Sequence, residues 1–132
     1  MAEFANQVTV SGFKAAADLS GKQYTFVRMS AAGTVNLASE VAVSAANKVA
    51  FGVLQNKPKT NEAATVAVLG ETKVLAGAAA AVDKLITYNS SGKAVEAASG
   101  DMVCGRFLEA ANNDGDFVSA FLHQPIRWAS VS

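Results

Sequence analysis

Over most of this chain apolar and polar residues either alternate with a period of two or gather in short apolar runs. Both patterns predict β-strands, whose successive side chains point to opposite faces. The runs are YTFVRM (24–29), VAFGVL (49–54), TVAVL (65–69), TKVL (72–75), KLITY (84–88), MVCGRFL (102–108) and FVSAFL (117–122). Turn signals separate many of them: SAAG (30–33), KPKTN (57–61), NSSG (89–92) and NNDGD (112–116). Strands this short, with turns this frequent, predict an all-β small barrel or sandwich. FKAAADLSG (13–21) and GAAAAVDK (77–84) are rich in alanine, the best helix former. Each is too short to hold a helix alone, so short helical turns are the most expected there. EVAVSAANK (40–48) reads equally as strand or loop.

The two halves of the chain can be laid over each other. TFVRMSAAGTVNLAS (25–39) aligns with KLITYNSSGKAVEAA (84–98), with Gly33 on Gly92. AFGVL (50–54) aligns with VCGRF (103–107), with Gly52 on Gly105, and VAVL (66–69) with VSAF (118–121). Upstream, VSG (10–12) falls over VLG (68–70). The order of strand, turn, strand, strand, strand recurs, which predicts two pseudo-repeated β units in one fold. The expected organisation is an N-terminal arm over residues 1–12, a β-rich domain over 13–123 and a C-terminal tail over 124–132. The ends, with Phe4, Val8 and Val10 on one side and Ile126, Arg127 and Trp128 on the other, have the composition of interface anchors. For Trp128 the competing reading is that it folds back onto its own barrel.

Composition narrows the function classes. A chain of 132 residues suits one domain, or one domain with arms. Charged residues make up 17% and net charge is zero, with no basic block, so binding to nucleic acid through phosphates is not expected. The start lacks a signal peptide's basic and apolar regions, and the longest apolar run, VLAGAAAAV (74–82), is too short to cross a bilayer. A protein made in the cytoplasm, with no membrane partner, is expected. The lone Cys104 excludes an intrachain disulfide and a cysteine-based zinc site.

Candidate chemistry is thin. NSSGKA (89–94) ends in Gly-Lys after an apolar strand, as a phosphate loop does. The phosphate-loop motif reserves a Gly where Thr87 stands and a Ser or Thr where Ala94 stands, and no helix is expected to follow. A hairpin turn accounts for it: Asn and Ser bond to local backbone and Gly92 supplies positive φ. NNDGD has some oxygens of a calcium loop, but Phe117 and His123 occupy the positions of its Gly and bidentate Glu. His123 is the only histidine, and no nucleophile motif accompanies it. No enzyme, cofactor or metal is expected.

The pattern FGVL, TVAVLG, an Ala/Gly stretch, GKAV, SGD, GRFLEA and GDFV over residues 50–123, and more loosely from Gly12, resembles the tailed-bacteriophage capsid decoration (cement) proteins. The resemblance implies a β-rich module, commonly a homotrimer, on the outer surface of a phage head. There it would bind the major capsid protein and stabilise contacts between its copies. The alternative is a head-fibre or adhesion-type binding module on the virion.

Overall fold

The computed structural model describes residues 6–38 and 50–127. Among them the regular structure is all strand: β1 (Gln7–Ala15), β2 (Phe26–Ala31), β3 (Thr34–Leu37), β4 (Ala50–Leu54), β5 (Ala63–Leu75), β6 (Leu85–Tyr88), β7 (Ala94–Glu96), β8 (Met102–Phe107) and β9 (Phe117–Arg127). They form one sheet in the order β1-β3-β2-β4-β5-β9-β8-β6-β7, and β1 also pairs with β5. That pairing closes β1, β3, β2, β4 and the first half of β5 into a five-stranded barrel. The second half of β5 continues through β9, β8, β6 and β7. A parallel bridge from Ala94 to Ala76, just past β5, brings that run back on itself. β5 is therefore the last strand of one unit and the first of the next.

The units repeat at the level of single hydrogen bonds. Tyr24 N–H donates to Leu54 O at 2.7 Å, and Asp83 N–H to Phe107 O at 2.8 Å. Ala38 N–H reaches Phe26 O as Ala97 N–H reaches Leu85 O. Asn61 N–H reaches Ala15 O, and Gly115 N–H reaches Ala76 O, both at 2.8 Å. Side chains do the same work with different chemistry: Asn56 Oδ1 accepts from Thr65 N–H at 3.1 Å, and Glu109 Oε1 from Ser119 N–H at 2.8 Å. Positive φ recurs at matching places: Tyr24 (69°) and Asp83 (73°), Gly33 (75°) and Gly92 (73°), Asn61 (69°) and Gly115 (98°). Gly52 and Gly105 are also equivalent. A side chain at either would drive into the carbonyl oxygen of the facing strand, that of Ala67 or Phe121.

Two expected overlays fail. VAVL (66–69) does not fall on VSAF (118–121): with Gly52 on Gly105, register sets Ala67, the partner of Val53, on Phe121, the partner of Arg106, so the expected alignment slips by two residues and puts Leu69 there instead. Nor does Gly12 fall on Gly70. Gly12 lies in a bulge between Val10 and Phe13, whereas Gly70 pairs in register with both Gln7 and Leu122. An unpaired bulge residue and a laddered residue cannot be equivalent. Register instead equates Lys14, which pairs with Ala63, to Leu75, which pairs with Phe117.

Each unit carries apolar side chains inward. Ala15, Leu19, Val27, Val35, Leu54, Ala64 and Val66 fill the first barrel. Their counterparts Ala76, Ala80, Ile86, Ala94, Phe107, Val118 and Ala120 lie in the second cluster. That cluster also holds Phe26, Val53 and Ala67, from the opposite faces of β2, β4 and β5, so it runs on between the units.

Other sequence expectations are corrected in detail. The runs at 65–69 and 72–75 are one continuous strand, β5. Residues 7–12, expected in an arm, are barrel wall, because β1 begins at Gln7 and pairs with β5. Residues 124–127, expected in a tail, extend β9. Of the alanine-rich stretches, residues 13–15 end β1, while 16–21 and 77–84 form bends, turns and an isolated bridge rather than helix. The segment 40–48 lies outside the described residues.

Candidate interaction surfaces

The two units meet through an exchange of backbone hydrogen bonds. In the first unit Lys14 N–H donates to Gly33 O at 2.9 Å. The equivalent bond in the second unit would join Leu75 N–H to Gly92 O. It is exchanged: Leu75 donates to Tyr24 O, and Gly92 O accepts from Phe26 N–H, both at 2.8 Å. Residues 24–26 thus insert between β5 and the turn at Gly92. Aromatic rings follow the backbone, with Phe26 against Tyr88 (centroids 5.6 Å apart) and Tyr24 edge-on to Phe117 (5.7 Å). The Tyr88 hydroxyl accepts from Ala50 N–H at 3.2 Å, and burial raises its pKa. Gln55 reaches across to Thr72 Oγ1 at 2.9 Å.

The predicted interface residues fall in different places. Val8 is 51% exposed on β1, directly opposite Leu69 of β5, which is 41% exposed. Ile126 is 62% exposed on β9, opposite Val103. Val10 is only half-buried and packs on the core of the first barrel: it pairs with buried Val66, and the register shift between Val8 and Thr9 separates its facing from that of Val8. The Arg127 backbone pairs with Met102, while its side chain, Phe4 and Trp128 lie outside the described residues. Sequence reasoning missed Phe121 (48% exposed) and Phe117 (54%). Both stand in an apolar run whose alternation could have marked one outward face.

The candidate chemistries resolve into turns. NSSG joins β6 to β7: Asn89 Oδ1 accepts from Ser91 N–H at 2.9 Å and Lys93 N–H at 3.1 Å. The Lys93 ammonium meets Asp114 at 3.0 Å rather than an open cradle. In NNDGD the Asp116 carboxylate is occupied by the backbone N–H groups of Asn112 and Asn113. Among the described residues no three His, Cys, Asp or Glu side chains cluster as metal ligands. Cys104 is buried, and burial pushes its thiol up to about 12. His123 Nδ1 lies 2.8 Å from the neighbouring Gln124 O. Arg106 pairs with exposed Asp83 of its own chain at 2.6 Å. Among the described residues no helix is long and apolar enough to cross a membrane.

Residues 9–122, both units almost entirely, match a family described as phage cement protein. A search of curated proteins finds no match. Among solved structures, the N base of the head fibre gp8.5 of bacteriophage phi29 has the same fold, with a TM-score of 0.67 at 18% identity. The similarity covers 90% of this chain and 96% of that one.

Proposed function

Because the chain belongs to the phage cement protein family, and is therefore a structural protein of the phage head, we propose that it binds the outer capsid surface and stabilises contacts between major capsid proteins. The observation that carries this reading is the family match across both units. The surface agrees with it. Exposed apolar side chains such as Val8, Leu69 and Ile126 stand on rigid strands, and the turns that looked chemical are filled by their own backbone bonds. A cement subunit works by repetition, since many modest identical contacts add up to firm attachment. The partners in this reading are the major capsid protein and other copies of the same chain, as a homotrimer. The ends contribute through Phe4 and Val8, and through Ile126, Arg127 and Trp128, whereas Val10 serves the core of its own barrel. The protein is made in the host cytoplasm and acts on the virion, as a non-enzyme without cofactor.

A second reading, the base of a head fibre, is favoured by the shared fold with the phi29 head-fibre base. Co-sedimentation of purified protein with heads that lack it separates the two. Saturation at a copy number comparable to the major capsid protein supports cement. Saturation at a few copies per head supports a fibre base, and failure to bind overturns both.

A further inference from the structure

The duplication leaves each unit with one half of the internal contact unused. In the first unit Phe26, Val53 and Ala67 are buried where they meet the second. Val53 and Ala67 are cross-strand partners between β4 and β5. The equivalent partners between β8 and β9 are Arg106 and Phe121, and both are exposed, with Phe121 at 48%. Leu108, the counterpart of Gln55, is 42% exposed. The second unit therefore presents outward the face by which the first unit holds its neighbour, and that face is apolar around one ion pair.

The reverse half is just as open. Tyr88 is 1% exposed under Phe26, yet its counterpart Met29 is 36% exposed. A Cβ at Gly92 would strike Leu37, whereas nothing lies within 4 Å of one at Gly33. Leu75 and Lys14 correspond, and the Lys14 side chain points to solvent.

We propose that a second copy of this chain sets its first unit, around Met29 and the Gly33 turn, against the Leu85, Leu108 and Phe121 face of the second unit. The contact inside one chain is then repeated between chains, head to tail. The occupant follows from continuity with an existing interface: the surface that already fits the equivalent face is a unit of this same chain. Glu96, the counterpart of Leu37, is paired with Lys84 of its own chain at 3.7 Å and arrives beside the Gly33 turn, whose carbonyl the Lys14 N–H holds, so no unpaired carboxylate is buried there. Such a contact is heterologous, joining different patches of the two copies, so it closes as a ring or continues as a filament. This inference deepens the proposed self-association and rests on it.

The test uses the full chain with Phe121→Glu, which spoils one half, and Met29→Glu, which spoils the other. Both positions are exposed, and circular dichroism with thermal melting checks that each variant folds. Analytical ultracentrifugation is expected to show concentration-dependent assembly of the wild type and monomers for each variant alone. An equimolar mixture of the variants is expected to form a heterodimer and nothing larger, because one intact junction remains. Wild type that stays monomeric, a variant that assembles alone, or a mixture that stays monomeric overturns the proposal. If a charge disturbs folding, Met29→Cys and Leu85→Cys copies are mixed with a short thiol cross-linker. A cross-link in the mixture but in neither alone supports the contact, and its absence overturns it. Monomeric wild type that still binds heads defeats this inference and leaves the capsid reading standing. Assembly without head binding does the opposite.

Discussion

Phe26 donates its backbone N–H to Gly92 O across 2.8 Å, and this one bond ties a strand of the first unit to a turn of the second. The equivalent turn carbonyl, that of Gly33, is satisfied within its own unit by Lys14. Two turns of the same backbone conformation therefore sit in opposite settings, one packed and one open.

That contrast predicts different costs for the same substitution. Gly33→Ala meets only the left-handed backbone penalty, about 1 kcal/mol. Gly92→Ala meets the same penalty and also crowds Leu37 Cδ1 at 2.6 Å and Phe26 O at 3.0 Å, adding about 1–3 kcal/mol. Urea unfolding of the two variants should show Gly92→Ala as the less stable.

Gly52→Ala and Gly105→Ala should both be severe. Each new methyl would press on a carbonyl of the neighbouring strand, and backbone in a ladder has nowhere to move. A loss above about 3 kcal/mol, or failure to fold, is expected for either, read as a fall in melting temperature.

Cys104 sets a prediction in pH. Its unfolded value is 9.0 and burial raises the folded value to about 12. Below pH 9 the thiol is neutral in both states and stability is unaffected. Between pH 9 and 12 only the unfolded chain ionises, so stability falls by up to about 1.4 kcal/mol per pH unit. Tyr88, also raised by burial, adds to the loss above its ordinary value of 10.0. Denaturant titrations across this window should show a shallower fall for Cys104→Ala.

Val8→Lys and Ile126→Lys should leave stability within about 0.5 kcal/mol, since both side chains are largely exposed. In the capsid reading they weaken attachment to heads, as does Trp128→Ala, each by about 1 kcal/mol or more. Co-sedimentation with heads measures this, and unchanged attachment of all three would remove these residues from the interface.

The repeat was legible where sterics demand a particular residue. Gly33 and Gly92 need positive φ, and Gly52 and Gly105 need bare backbone against a carbonyl, so glycine marks both units. β1 was not legible as a strand, because the bulge at Ser11 and Gly12 breaks its alternation and much of it is exposed. The same bulge produced the false match of Gly12 to Gly70. The sharing of β5 was hidden because Gly70 looks like a turn in sequence, although it lies within the ladder. The unit contact could not be read at all. It depends on carbonyls and N–H groups of Tyr24, Phe26, Leu75 and Gly92, whose exchange of partners leaves no side-chain signature.

The role proposed for this protein is to strengthen the head it covers. The direct measurement is the temperature at which DNA-filled heads lacking this protein release their DNA, taken before and after saturation with purified protein. A rise that follows occupancy is expected. Saturation that leaves the release temperature unchanged would contradict it.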